Sequence, residues 1–327
     1  MPNLSLSTRP LRRLFLAGLF TLATGLVQAQ APTPVRILVG FPPGGGTDAI
    51  ARTLAEKLKD QLGAPVVVDN RAGAGGQIAA QALKAAAPDG HTFFLSHDHS
   101  ISILPLVTRN PGFDPAVDFV PVAGFATFAN ALAVSGGTPA KSVAEYVRYV
   151  QSTGGKDTIG IPAPASIPEF IVGMIATKYK LDVQAAPYRG SAPMMADMLG
   201  NQIKAGVASI PDFIENHKAA KLRVVAVIGD KRQAILPDVP TFAELGIAGL
   251  EELPYYGIFA PAGTPPAVIE RFNQALAKVV AMPEVRDHLT AMGLTVAFQP
   301  QAAFAKRVSG YTQSWDRIIK ASGFQAK

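Results

Sequence analysis

The chain has 327 residues, 48% hydrophobic and 17% charged, with 30 Gly, 27 Pro and no Cys. That length carries about two domains with full cores, and zero cysteine excludes disulfide scaffolds, thiolate metal sites and cysteine nucleophiles. The net charge is +6, but Arg9, Arg12 and Arg13 supply half of it within residues 1–29, which contain no acid. The +3 left over argues against a nucleic-acid partner, as does the lack of a basic run interleaved with aromatics.

The three arginines precede an apolar run from Leu14 to Val27, and Val27-Gln28-Ala29 then gives a small-x-small pattern. This order reads as a secretory signal peptide over residues 1–29, cleaved near Ala29, with the remainder exported to the periplasm. A membrane anchor needs about 20 apolar residues; this run is shorter and broken by Thr21, Thr24 and Gly25. Arg12-Arg13-Leu14-Phe15-Leu16 leaves both the general and the twin-arginine routes open.

From Val35 onward, β-branched runs alternate with helical patterns. Val35–Phe41 reads as a buried strand, followed by the turn Pro42-Pro43-Gly44-Gly45-Gly46. Thr47 is placed to cap a helix whose apolar face is Ile50, Leu54, Leu58 and Leu62, stopped by Gly63 and Pro65. A second strand covers Val66–Asp69, Gly75-Gly76 opens a second helix that Pro88-Asp89-Gly90 closes, and Thr92–Ser96 is a third strand. This β-α-β-α-β order predicts a parallel sheet with helices on both faces. A second unit follows. Ser142 and Glu145 form a capping box ahead of Val143, Tyr146, Val147 and Val150. Strands are expected at Thr158–Ile161, Val183–Ala186, Ile203–Ala208 and Leu222–Ile228, with helices between them. Tyr255–Ala260 is apolar again, and Thr264-Pro265-Pro266 predicts an N-cap with Pro at the first helical position. That helix carries Val268, Ile269, Phe272, Leu276 and Val279, and helical stretches at 283–292 and 302–321 end the chain. Crossings near 125–133 and 253–260 divide the chain into a first lobe (30–128 and 256–327) and a second (129–255). Two crossings make a two-stranded hinge, the geometry of a closing clamp.

The Gly44-Gly45-Gly46-Thr47 turn joins a strand to a helix, where backbone N–H groups and the helix dipole favour an anion. A tight turn that needs glycine for conformation alone is the plainer alternative. A dinucleotide site is a third reading, with Asp69 as the ribose acid, but Gly-Gly-Gly-Thr-Asp-Ala departs from G-x-G-x-x-G. Ser96-His97-Asp98-His99-Ser100 ends the third strand, where open α/β sheets place ligands. Asp98 there would hold a ligand's polar or cationic end and repel a second carboxylate; helix capping by Ser96 or Asp98 is the alternative. A metal is not expected, because His91, His217 and His288 show no ligand spacing to this pair. No G-x-S-x-G or H-E-x-x-H is present. Neither a catalytic residue nor a cofactor is assigned.

Val35-Arg36-Ile37-Leu38-Val39-Gly40-Phe41-Pro42-Pro43-Gly44-Gly45-Gly46-Thr47-Asp48 resembles the opening of the Bordetella uptake gene (Bug) receptors, the substrate-binding proteins of tripartite tricarboxylate transporters. The resemblance continues through Val67–Gly76, Ala87-Pro88-Asp89-Gly90, Tyr188–Pro193, Pro237–Thr241 and Gly257–Pro265. It implies a type II periplasmic binding protein: two Rossmann-like α/β lobes, joined by a two-stranded hinge, closing on a small organic acid. It further implies delivery to membrane permease subunits by a monomer that performs no chemistry. An exported sensor feeding a signalling partner, or an exported enzyme on the same scaffold, are the other classes. Carried onto this sequence, the ligand contacts are Phe41, Gly44, Gly45, Thr47, Asp48 and Gly76 of the first-lobe turns. Ser96, Asp98 and His99 join them from the third strand. The second lobe adds Ala163, Ala165 and Ser166, then the Tyr188–Ser191 turn with Tyr188, then Ser209 and Asp212. Two departures from the family pattern stand out. The loop Pro162–Pro168 is proline-rich where relatives carry Gly and Ser, which removes N–H donors. Ser96–Ser100 is charged where many relatives are small and neutral.

Overall fold

The computed structural model describes residues 2–3, 32–321 and 323–326; the expected signal peptide at 1–29 lies almost wholly outside them. The described chain from Thr33 onward forms one compact unit built on two mixed sheets. The first has six strands in the order β11-β4-β10-β3-β1-β2: β1 Val35–Val39, β2 Val66–Asn70, β3 Thr92–His97, β4 Phe119–Thr127, β10 Tyr255–Pro261 and β11 Thr295–Gln299. The second has five in the order β7-β6-β8-β5-β9: β5 Asn130–Ser135, β6 Lys156–Ile161, β7 Asp182–Pro187, β8 Ala205–Ser209 and β9 Leu222–Val227. In each sheet three strands run parallel (β2, β1, β3 and β7, β6, β8), and the rest join antiparallel.

The helices follow the expected pattern. In the first lobe they are α1 Gly46–Leu62, α2 Gln77–Lys84 and the short α3 Leu104–Val107 and α4 Pro115–Asp118. The second lobe has α5 Val143–Ser152, α6 Ile167–Tyr179, α7 Ser191–Leu199 and α8 Ile210–Lys218. The chain ends through α9 Pro266–Ala281, α10 Pro283–Ala291 and α11 Gln301–Ala321. A π-helical turn, His99–Ile103, links β3 to α3.

Both faces of the first sheet are covered at its centre, so β3, β4 and β10 read as near-continuous buried runs rather than alternating ones. Ile37, Val39, Phe93 and Leu95 pack with Ile50, Leu54 and Leu58 of α1 and Phe272, Leu276 and Val279 of α9. Leu38 and Phe94 face the other way, into the cluster that holds Phe304, Tyr311 and Trp315 of α11. Trp315 in turn meets Phe170 of α6 at 5.7 Å, so the last helix touches both lobes.

Several expectations shift. Thr47 does not cap α1; the cap position is Gly45, and the Thr47 hydroxyl is committed to Tyr256. Asp98 makes no cap bond to the π-helical turn, nor does Thr264 cap α9, which starts one residue later with Pro266 at its first position. Thr264 instead donates to the Pro261 carbonyl. The expected strand at 203–208 begins at Ala205. Strands β4, β5 and β11 had no counterpart in the sequence reading. The chain passes from β4 to β5 through Phe128 and Ala129, and from β9 to β10 through residues 228–254. These passages lie side by side: Phe128 N–H donates to Pro254 O at 3.1 Å, and Ile228 N–H to Asn130 O at 2.9 Å.

Candidate functional site

The carboxyl ends of β1 and β3 from one sheet face the loops after β6 and β8 of the other across a cavity of about 540 Å³, including its mouth. Asp212 of one side reaches the Gly46 N–H of the other, so the lobes stand close together. The first lobe lines it with Phe41, Gly45, Thr47, His97, Asp98, His99 and Tyr256. The crossing adds Phe128 and Asn130, and the second lobe Pro162, Ala163, Ser166–Pro168, Ser191, Ser209 and Asp212.

Four helix starts converge here: α1 at Gly45–Thr47, α6 at Ser166–Pro168, α7 at Ser191 and α8 at Ser209–Asp212. Each brings first-turn amides and the positive end of a helix dipole, which attract anions without a cationic side chain. Asp212 links the two sides of the cleft. Its Oδ1 accepts from Gly46 N–H at 2.8 Å and from the Ser191 hydroxyl at 2.5 Å, and its Oδ2 accepts from the Ser209 hydroxyl at 2.5 Å. One carboxylate therefore caps α1 from the opposite lobe. Beside it Thr47 Oγ1 and Tyr256 OH share a bond at 3.2 Å. Burial, then the Asp212 charge, push the Tyr256 phenol well above its ordinary range, which keeps it a donor.

The other wall is aromatic. His97 stacks on Phe41 with ring centres 5.0 Å apart and meets the edges of Tyr256 (5.5 Å) and Phe128 (5.8 Å). Asp98 lies behind His97, 2% exposed, with Oδ1 3.3 Å from His97 Nδ1 and Oδ2 accepting from Tyr311 OH at 3.2 Å. His99 is buried, which, with the neighbouring His97, lowers its pKa to about 3 and holds it neutral. No group of three His, Cys, Asp or Glu among the described residues is placed to hold a metal ion.

Nine of the expected contacts thus line one cavity: Phe41, Gly45, Thr47, Asp98, His99, Ala163, Ser166, Ser209 and Asp212. Six lie off its wall, each for a visible reason. Gly44, with φ +85°, forms the turn and donates its N–H to Asp48. Asp48 is a buried strut, bonded also to Arg52 and Asn70. Gly76 is a packing glycine; a Cβ there would fall 2.2 Å from Ser100 Oγ. Ser96 sits within β3, paired to Gly257 of β10. Ala165 faces an outer groove with Phe170 and Trp315. Tyr188 donates to Asp197 at 2.7 Å, and burial, with that bond, pushes its pKa up to about 12. Residues the sequence reading did not assign are Phe128, Asn130 and Tyr256, with His97, Pro162, Ile167, Pro168 and Ser191 named only as parts of candidate segments. Phe128, Asn130 and Tyr256 stand at the lobe crossings, which border any cleft between lobes. That was the signal available.

The strut role of Asp48 has a pH signature. Burial alone would raise its pKa, but the bonds from Arg52, Gly44 N–H and Asn70 and the Arg52 charge outweigh it, leaving the value below 3.8. A depressed folded-state pKa contributes stability that is complete above the unfolded value and is lost as pH falls through the folded one. Asp48→Asn should therefore lower unfolding free energy by about 2 kcal/mol at pH 7, with the gap to wild type closing below pH 3.8 in urea titrations.

Residues 50–324 match the family described as tripartite tricarboxylate transporter family receptor. Protein BugT of Bordetella pertussis is 28% identical, over 97% of this chain and 99% of the relative. The structure of the periplasmic binding protein BugD superposes with a TM-score of 0.84 at 28% identity, covering 90% of this chain and 99% of that one. An R. palustris protein solved with adipate superposes with a TM-score of 0.84 at 30% identity, covering 90% and 99%.

Proposed function

Since the chain belongs to the tripartite tricarboxylate transporter receptor family and is a solute-binding receptor with the periplasmic-binding-protein fold, we propose that it captures a small organic acid by closing its two lobes. The observation that carries this reading is the convergence of four helix N-termini on one interlobe cavity whose lining contains no Lys or Arg. Such a cavity attracts a carboxylate through amides and dipoles, fixed in place before the ligand arrives. The lobes are 30–128 with 256–327, and 129–255, and they hinge where Phe128 and Pro254 pair. The chain acts in the periplasm after cleavage near Ala29, as a monomer, and hands its solute to the permease subunits of a tripartite transporter without chemical change. The family match and the adipate-bound neighbour support carboxylate capture.

A thermal-shift screen against organic, amino and aromatic acids tests the reading, because a ligand that binds only the folded state raises apparent stability. At least one acid should raise Tm by several degrees at millimolar concentration and be recovered unaltered after overnight incubation. A screen in which no acid shifts Tm, or in which the bound acid is converted, contradicts it.

A further inference from the structure

The cavity's charges do not suit a multiply charged anion. Its lining holds two carboxylates, Asp98 and Asp212, and neither Lys nor Arg. His99 is neutral, as its burial requires. The helix termini that offer positive potential are partly spoken for by the protein's own acids. Gly46 N–H already meets Asp212, and the Ala165 N–H that leads into α6 meets Glu169. What is left suits one anionic group on the solute rather than two.

Asp98 marks the opposite preference. Its contacts are a phenol and an imidazole, with no Lys or Arg bonded to it. A carboxylate offers about four acceptor positions, so two such contacts leave capacity for a donor from the cavity. His97 Nδ1 accepts from the His99 backbone N–H at 3.3 Å, so Asp98 Oδ1, 3.3 Å from the same nitrogen, receives no proton from the neutral ring. Around this point the Phe41, Phe128 and Tyr256 rings all lie within 6 Å of His97, Phe41 stacked on it and the other two edge-on. A buried carboxylate at the cavity wall favours a cation beside it and disfavours a second carboxylate.

Building on the carboxylate-capture reading, we infer that the solute carries a cationic nitrogen as well as a carboxylate. The nitrogen is held by Asp98, beside the Phe41, His97, Phe128 and Tyr256 rings, while the carboxylate meets the helix N-termini. Asp98 is then the residue that selects against dicarboxylates.

Titration calorimetry on length-matched pairs tests this: ω-amino acids of three to eight carbons against dicarboxylates of the same length, together with the tightest acid from the thermal-shift screen. Wild type should prefer the amino acid of at least one pair by tenfold or more, and Asp98→Asn should shrink that ratio to within about threefold. Should Asp98→Asn fail to fold, the wild-type ratio decides alone. A dicarboxylate, or any acid lacking a cationic nitrogen, as the tightest ligand overturns the inference and leaves carboxylate capture standing. A ratio unchanged in folded Asp98→Asn also overturns it. If no carboxylate of either kind binds, both readings fall together.

Discussion

Gly46→Val should fold normally and lose about 100-fold or more in affinity for the receptor's acid. Gly46 opens α1 and its φ is not in the left-handed region, so its own lobe accepts a side chain there. The obstacle is the other lobe. A Cβ at Gly46 would stand 3.0 Å from Asp212 Oδ1, 3.0 Å from Pro211 Cβ and 3.3 Å from the Asp212 nitrogen. Valine adds two methyl groups to that contact, and neither backbone nor proline can yield to them. The variant is therefore wedged open. If the acid binds tightly only to the closed form, a closure penalty of about 2.7 kcal/mol appears as a 100-fold rise in Kd. Calorimetry reads the affinity, and a Tm within a few degrees of the ligand-free wild type shows that the lobes themselves are intact.

Asp212→Ala should weaken binding by about 10- to 100-fold through the opposite effect, removing a link rather than adding an obstacle. Asp212 accepts three hydrogen bonds, one of them from the far lobe. A hydrogen bond to a charged group contributes about 1.5–3 kcal/mol, and its loss here falls mostly on the closed state, where Gly46 N–H would be left without an acceptor. Asp212→Asn keeps an oxygen to accept from Gly46 and should fall between alanine and wild type. Equal affinities in all three proteins would show that Asp212 takes no part in closure.

Much of the fold was legible in the sequence because its signals were local. Apolar spacing of four from Ile50 to Leu62, with Gly63 to stop it, gave a helix that ends where expected. Strands β1, β2, β3 and β6 are short β-branched or aromatic runs bounded by turn residues, and they lie within two residues of where they were expected. By contrast β4 and β5 are separated by only Phe128 and Ala129, so the change of sheet leaves no linker to read. Strand β11 is half exposed at a sheet edge and has a weak apolar pattern.

The candidate site divides in the same way. Glycine turns at strand ends announced Phe41, Gly45 and Thr47. Whether a glycine serves the cleft or the packing depends on a distant partner: Gly76 faces Ser100 and Gly40, whereas Gly45 faces Ser191 of the other lobe. Asp48 looked like a ligand group because it follows the turn, yet Arg52 one helical turn on already claims it. Asp212 was named for the cavity wall; that it caps α1 from across the cleft is a fact of lobe packing, which no sequence spacing encodes.

Small-angle scattering with Gly46→Val as the reference tests the central claim, closure of two lobes on an organic acid, most directly. The tightest acid from the thermal-shift screen is added at saturation to wild type and to the variant. The account predicts that saturated wild type has a smaller radius of gyration than Gly46→Val, and that the same acid leaves the variant's radius unchanged. A Gly46→Val protein that binds the acid with wild-type affinity, at the same radius as saturated wild type, would contradict it.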